Sequence, residues 1–357
     1  MKAFRIPPIY CPLPLARHPA LDKVEAGCID YMRKWRLFWT DAQLQRLIAT
    51  RCGEVVAMLY PFGDKTLLQV AADYMLWAFA YDDEYCDEGP ASRDPAALIA
   101  GSSRMQRAME SAEVLFDPED RYGMALRDLR LRVAEHGRPM HAERFVMMQR
   151  SYFMAEMWKA VAPKPMLNDY AIKRLYGGGG MSFTVFCYIV PQLDISEEEL
   201  FSRPVIALTE MADTFTTWDN DIISYPKERA RSQDKQHNLI SVLCREYRCS
   251  DEESVVIAVR MRDRVQGLFS RLRDHLMQHG SPALQRYADY LGYYAKGSLD
   301  WHRSNPRYLY TNGIAGELCM VGAEPADAPL DDSHDPLPIS AIAWWWQYDP
   351  ARRSVLS

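Results

Sequence analysis

The sequence predicts an all-α fold: one antiparallel helical bundle built around a central apolar cavity. Apolar residues recur at the helical period along most of the 357 residues. Strand-type alternation is nearly absent, and short polar connectors separate the periodic stretches, as between antiparallel neighbours. The chain is long for one core, yet a large single α domain accommodates it. No internal repeat and no second domain are visible.

Residues 1–20 are rich in proline and form an N-terminal segment expected to cap the mouth of the site. The helical domain spans 21–312. Thr40 and Asp41 cap a helix that reaches about Tyr60, and Pro61-Phe62-Gly63-Asp64 ends it. The next helix runs from about Lys65 to Glu88 and stops at Gly89-Pro90. Further helices are expected near 95–112, 118–135, 139–161, 168–191, 204–224, 251–278 and 282–303. Residues 229–236 (RARSQDKQ) are charged and read as a lid. Past 312 the composition turns loop-like, and 313–357 is a Pro/Asp-rich tail where the fold is expected to end. Within it, Trp344-Trp345-Trp346 leaves two roles open: docking on the body, or joining two copies as a homodimer.

Composition narrows the function. Hydrophobic residues make up 48% and charged residues 25%, a globular balance. A net charge of −6 argues against a general binder of nucleic acid or of membrane surfaces. The start, MKAFRIPP, has no apolar core of a signal peptide, and no run reaches the ~18 apolar residues of a spanning helix. Eight cysteines lie scattered without CxxC spacing, as expected for free thiols in a reducing cytoplasm.

The chemistry is concentrated in two stretches. In Trp218-Asp219-Asn220-Asp221-Ile222-Ile223-Ser224-Tyr225-Pro226-Lys227-Glu228, residues 220, 224 and 228 stand four apart. Each step drifts only about 40° on a helix, so an amide oxygen, a hydroxyl and a carboxylate share one stripe. These are hard ligands, suited to Mg²⁺ rather than Zn²⁺. With one carboxylate among three ligands, the remaining anionic oxygens are expected from a phosphate-bearing substrate. Upstream, the apolar run Met75 to Tyr81 leads into Asp82-Asp83-Glu84-Tyr85-Cys86-Asp87-Glu88. Met75, Phe79 and Asp82 fall on one face at helical spacing, so a greasy wall meets a carboxylate rim. Each stretch alone reads as solvated surface or as the polar face of a helix. In this order, flanked by apolar helix, they suit a substrate with a hydrocarbon tail and a diphosphate head.

On these residues the chain resembles the microbial class I terpene synthases (terpene cyclases). Asn220 to Glu228 matches the family's ND(L/I/V)xSxx(K/R)E motif at every fixed position, Lys227 included. Arg307-Tyr308 matches its C-terminal Arg-Tyr pair, and Arg174 stands where the family places a diphosphate-sensing arginine. Gly177 and Gly178 follow where the family breaks a helix to aim a backbone carbonyl at the cation. The resemblance covers about residues 8–310. It implies Mg²⁺, three ions, held by Asp82, Asn220, Ser224 and Glu228, and an isoprenyl diphosphate bound by Arg174, Lys227, Arg307 and Tyr308. Met75, Phe79, Phe183 and Trp301 are assigned to the cavity wall. Taken singly, the aromatics Trp77, Phe79, Phe183, Phe186, Trp218 and Trp301 read more readily as core than as faces for a cation.

The chain departs from the family pattern at two places. Its first motif is DDxxxD, an ending similar to that of methylisoborneol-synthase-like members. On an α-helix Asp87 lies roughly 140° from Asp82, so Asp82 is the expected ligand, and Asp83 and Asp87 are secondary. Pro226 falls inside the later motif and predicts a kink. Two features are set aside. Asp331-Asp332-Ser333-His334-Asp335 is a literal DDxxD among prolines, so no rigid helix holds it, and it reads as a solvated linker. Gly177-Gly178-Gly179-Gly180 lacks the Lys-Ser/Thr of a phosphate loop.

Farnesyl diphosphate is the expected substrate, with geranylgeranyl diphosphate next and a C10 or methylated C10 substrate third. A chain-elongating prenyltransferase shares bundle and chemistry but needs a second helical DDxxD. A non-enzymatic helical interaction protein would leave the ordered motifs to coincidence.

Overall fold

The structure is a computed structural model that describes residues 3–115, 117–162, 164–231 and 237–353. The chain divides into two compact units. One comprises Ala16–Ala162 and Tyr176–Leu193; the other comprises Met1–Leu15, Pro163–Leu175 and Asp194–Ser357.

The first unit is helical throughout. It contains α1 (Leu21–Trp35), α2 (Asp41–Thr50), α3 (Cys52–Leu59), α4 (Lys65–Tyr81), α5 (Pro95–Glu110), α6 (Arg121–His136) and α7 (Pro139–Val161). Helix starts follow the capping side chains. Thr40 accepts from the Gln43 amide, as the sequence predicts, and Asp64 Oδ1 accepts from Thr66 and Leu67. Asp94 caps α5 with Pro95 at its first position, where no N–H is missed. The expected helix over 41–60 is two helices, because Arg51 adopts a left-handed conformation between them.

α4 packs against α1, α3 and α6. Its core is a ladder of rings at helical spacing: Tyr74 stacks on Trp77 at 6.0 Å, Trp77 on Tyr81 at 5.1 Å and Tyr81 on Tyr85 at 5.3 Å. Trp77 is fully buried and donates to the Tyr122 carbonyl, so it is core.

In the second unit, α8 (Leu167–Arg174) precedes the return of the chain to the first unit as α9 (Gly180–Thr184) and α10 (Phe186–Ile189). α11 (Glu197–Leu200), α12 (Arg203–Arg231), α13 (Leu239–Tyr247), α14 (Asp251–His279), α15 (Pro282–Ser304), α16 (Pro306–Leu309) and α17 (Pro350–Arg353) follow. α12 packs on α13, α14 and α15. It runs through Pro226 without interruption, seven residues beyond the expected end at 224. A capping box of Ser250 and Glu253 opens α14, and Ser281 with Pro282 opens α15.

Residues past 312, expected to be loop-like, are built into this unit. β1 (Phe4–Ile6) pairs in parallel with β3 (Met320–Gly322), and β2 (Ile9–Tyr10) pairs with β4 (Pro325–Ala326). Asp331 is paired with Arg264 rather than freely solvated. The tryptophan run docks on its own unit. Trp345 is fully buried and its Nε1 donates to Glu210 at 2.8 Å, and the Arg203 guanidinium lies 3.7 Å from the Trp344 ring centre. Asp349, fully buried, takes a two-pronged contact from Arg271. All eight cysteines are free thiols, and among the described residues no helix is long and apolar enough to cross a membrane.

Candidate active site

α12 places Asn220, Ser224 and Glu228 on the stripe that their spacing predicts. Ser224 is buried and donates to Glu228 Oε1 at 2.7 Å. The other oxygen of Glu228 accepts from Asn238 Nδ2 at 3.1 Å. Asn238 caps α13 through its own Oδ1 and also donates to the Asp221 carbonyl at 2.9 Å. It ties the far end of the stripe to the next helix. Residues 232–236, most of the expected lid, lie outside the described residues.

Asn220 is gripped from three directions. Arg174 Nη2 donates to its Oδ1 at 3.2 Å, while its Nδ2 reaches Tyr308 Oη at 3.0 Å and His302 Nε2 at 3.1 Å. Arg174 also makes a 2.6 Å ion pair with the buried Asp221, which accepts from Tyr170 and from the Leu239 amide at 2.9 Å. Burial pushes the Asp221 carboxyl up and Arg174 pulls it back. Lys227 Nζ sits 5.3 Å from the Tyr308 ring centre. Tyr308 is buried, with Trp301 and His302 packed edge-on at 5.3 and 4.9 Å. Arg307 is half-buried at the start of α16, where Asn305 Oδ1 caps its amide.

The field here is positive. His302 is pushed down to about 3, first by burial and then by Arg174 and Lys227. The sign of the pH effect follows. Above 6.5 the ring is neutral in both folded and unfolded chains; below it the unfolded chain takes a proton that the folded chain refuses. Stability is therefore lost as pH falls from 6.5 towards 3. Replacing His302 by Phe should remove about 2 kcal/mol of the stability lost between pH 7.5 and pH 5, read as a flatter dependence of urea midpoint on pH.

The second carboxylate set belongs to the other unit, and here the structure corrects the α-helical geometry assumed for Asp87. α4 ends at Tyr81, and residues Asp82–Asp87 form a π-helical turn. Hydrogen bonding five residues apart brings Asp82 and Asp87 to one side. Lys159 Nζ lies 3.8 Å from Asp82 Oδ1 and 3.5 Å from both Asp87 Oδ1 and Glu156 Oε2. One ligand atom each from Asp82, Cys86 and Glu156 lies within 4.8 Å of the others. Asp82 keeps 32% of its side-chain surface exposed. Burial, then the Asp87 charge, raises it to about 7. A carboxylate so raised gains from a nearby cation, and a divalent ion would reverse the shift. Asp83 is buried beside it.

Gly177–Gly179 form a tight turn, with Gly178 and Gly179 at positive φ, so the predicted helix over 168–191 is broken there. A side chain on Gly179 would meet the Phe183 ring at 2.5 Å. The Gly178 amide donates to Glu156 Oε1 at 3.0 Å, tying the turn to the carboxylate set. Phe183 packs 5.0 Å from the Tyr74 ring centre, Met75 is buried and Phe79 half-buried.

The donor atoms fit a hard divalent ion: amide, hydroxyl and carboxylate oxygens on the stripe, carboxylates on the π turn. Sequence reading missed Asn238, His302, Tyr170, Glu156 and Lys159. His302 was findable from the adjacent Trp301 and the nearby Arg-Tyr pair; the others stand in segments with no motif.

Comparisons with known proteins agree with this chemistry. Residues 73–265 match the model of the family described as terpene synthase family 2, C-terminal metal binding. The chain is 31% identical to (+)-(1(10)E,4E,6S,7R)-germacradien-6-ol synthase of Streptomyces pratensis, over 96% of each chain. It is 30% identical to the (2E,6E)-farnesyl diphosphate cyclizing (+)-T-muurolol synthase of Streptomyces clavuligerus, covering 95% of this chain and 81% of that one. Among solved structures, the SVS_A2 protein from ancestral sequence reconstruction superposes with a TM-score of 0.84 at 30% identity, over 96% of this chain and 98% of the other.

Proposed function

The chain belongs to the terpene synthases, lyases that act on isoprenyl diphosphates, and from that membership we propose that it ionises farnesyl diphosphate with Mg²⁺ and cyclises the cation to a cyclic terpene hydrocarbon or alcohol. The farnesyl preference is supported by the T-muurolol synthase relative, whose name gives that substrate; geranylgeranyl diphosphate stands second. One observation carries the reading: Arg174 and Tyr308 hold Asn220, with Lys227 over the Tyr308 ring, at the head of an oxygen stripe that includes Ser224 and Glu228.

Asn220, Ser224 and Glu228 would hold Mg²⁺, as would Asp82 with Asp83 and Asp87; three ions complete the set. When bound, the metal neutralises charge on the leaving diphosphate. Arg174, Lys227, Arg307 and Tyr308 donate to its oxygens, and charge-assisted bonds of this kind are the stronger ones. Met75, Phe79 and Phe183 of the first unit, and Trp301 of the second, would offer apolar surface to the hydrocarbon, since water would quench the cation early. Aromatic faces add about 1–2 kcal/mol each where desolvated, without becoming nucleophiles. The Gly178 turn offers backbone carbonyls to the cation. The eight free thiols support a reducing cytoplasmic setting.

The test is incubation of purified protein and Mg²⁺ with geranyl, farnesyl and geranylgeranyl diphosphates, read by mass spectrometry of volatiles. A cyclic C15 product from farnesyl diphosphate is expected. Longer diphosphates would mean chain elongation, and no product from any substrate would contradict the reading.

A further inference from the structure

We propose that His302 is a positioning residue: it fixes the side-chain amide of Asn220 so that the oxygen, not the nitrogen, is presented to a divalent cation. The inference rests on Asn220 being a metal ligand.

Ser224 and Glu228 offer oxygen whichever way they rotate. Asn220 alone on the stripe has two unlike ends, and its NH₂ cannot coordinate a cation. Its orientation therefore matters, and the neighbours decide it. Arg174 Nη2 lies 3.2 Å from one end of the amide. A guanidinium only donates, so that end has to be the oxygen. The NH₂ then points the other way, with one hydrogen for Tyr308 Oη at 3.0 Å and one for His302 Nε2 at 3.1 Å. A donor meets Nε2 only where that nitrogen carries no hydrogen, so the proton of the neutral ring sits on Nδ1.

Nδ1 is buried and has no hydrogen-bond partner among the described residues. A buried N–H left unsatisfied works against folding. Stability therefore does not account for an imidazole here, whereas the Nε2 contact does. Tyr308 Oη receives the other hydrogen of the NH₂. Without the Nε2 acceptor the amide keeps one NH₂ partner of two and is freer to turn.

The test titrates Mg²⁺ calorimetrically into protein saturated with inorganic pyrophosphate, at pH 8. His302→Phe keeps a ring and loses the acceptor; His302→Gln can place Oε1 where Nε2 was. The Phe variant should bind Mg²⁺ about ten- to a hundredfold more weakly, as when a partner orienting a ligand is lost, with thermal stability no lower than wild type. The Gln variant should bind as wild type does. On an Asn220→Asp background both ends of the side chain are oxygen, so adding His302→Phe should weaken Mg²⁺ binding no further. Wild-type affinity in the Phe variant, equal losses in the Phe and Gln variants, or a further loss on the Asp background would overturn the proposal. A wild-type protein that takes up no Mg²⁺ with pyrophosphate would instead remove Asn220 as a ligand, so the two failures are told apart.

Discussion

Asn220→Ala and Glu228→Ala should each lower turnover at saturating Mg²⁺ by at least about a hundredfold, with circular dichroism unchanged. Asn220 is held by Arg174, His302 and Tyr308, and Glu228 by Ser224 and Asn238, so every rotamer that matters is fixed by a partner. Such preorganisation is what a metal site needs and what a solvated helix face lacks. Asn238→Ala should then act through Glu228, raising the Mg²⁺ concentration for half-maximal rate by about tenfold. Wild-type rates in both Asn220→Ala and Glu228→Ala would remove the stripe from the chemistry.

The largest effect on stability is expected at Arg262. Its guanidinium is fully buried and pairs with the buried Asp219, Nε to Oδ1 at 2.8 Å and Nη2 to Oδ2 at 3.1 Å. Nη1 donates to the Tyr10 carbonyl and, at 3.1 Å, to Asp263 Oδ1. One residue therefore ties the N-terminal segment and α14 to the position beside Asn220. Arg262→Met strands the Asp219 carboxylate and should cost about 3–5 kcal/mol, seen as a fall in Tm on the order of 10 °C. Adding Asp219→Leu removes the stranded charge and should recover part of that loss. A single variant within about 1 kcal/mol of wild type would mean that water or another cation reaches Asp219.

These two sites differ in how far the sequence revealed them. The stripe was legible because a spacing of four translates directly into a helix face, and Arg174 and Tyr308 came with the family motif. The fold was legible for similar reasons: Thr40, Pro61, Gly89 and Pro90 punctuate the chain where helices start and stop. The π turn at Asp82–Asp87 was not, because nothing in DDEYCD announces hydrogen bonding five residues apart, and α-helical spacing sent Asp87 to the wrong face. Glu156, Lys159 and Asn238 join their sites by tertiary packing from stretches of ordinary composition. α1 and α13 went unread although their apolar residues recur at helical spacing, and the tail past 312 looked loop-like because short strands and a buried Trp345 leave no periodic signal.

The most direct measurement is anomalous diffraction from crystals grown with Mn²⁺ and inorganic pyrophosphate. A peak at bonding distance from Asn220 Oδ1, Ser224 Oγ and a Glu228 carboxylate oxygen is the predicted result. Pyrophosphate density with no metal at those three atoms would contradict it.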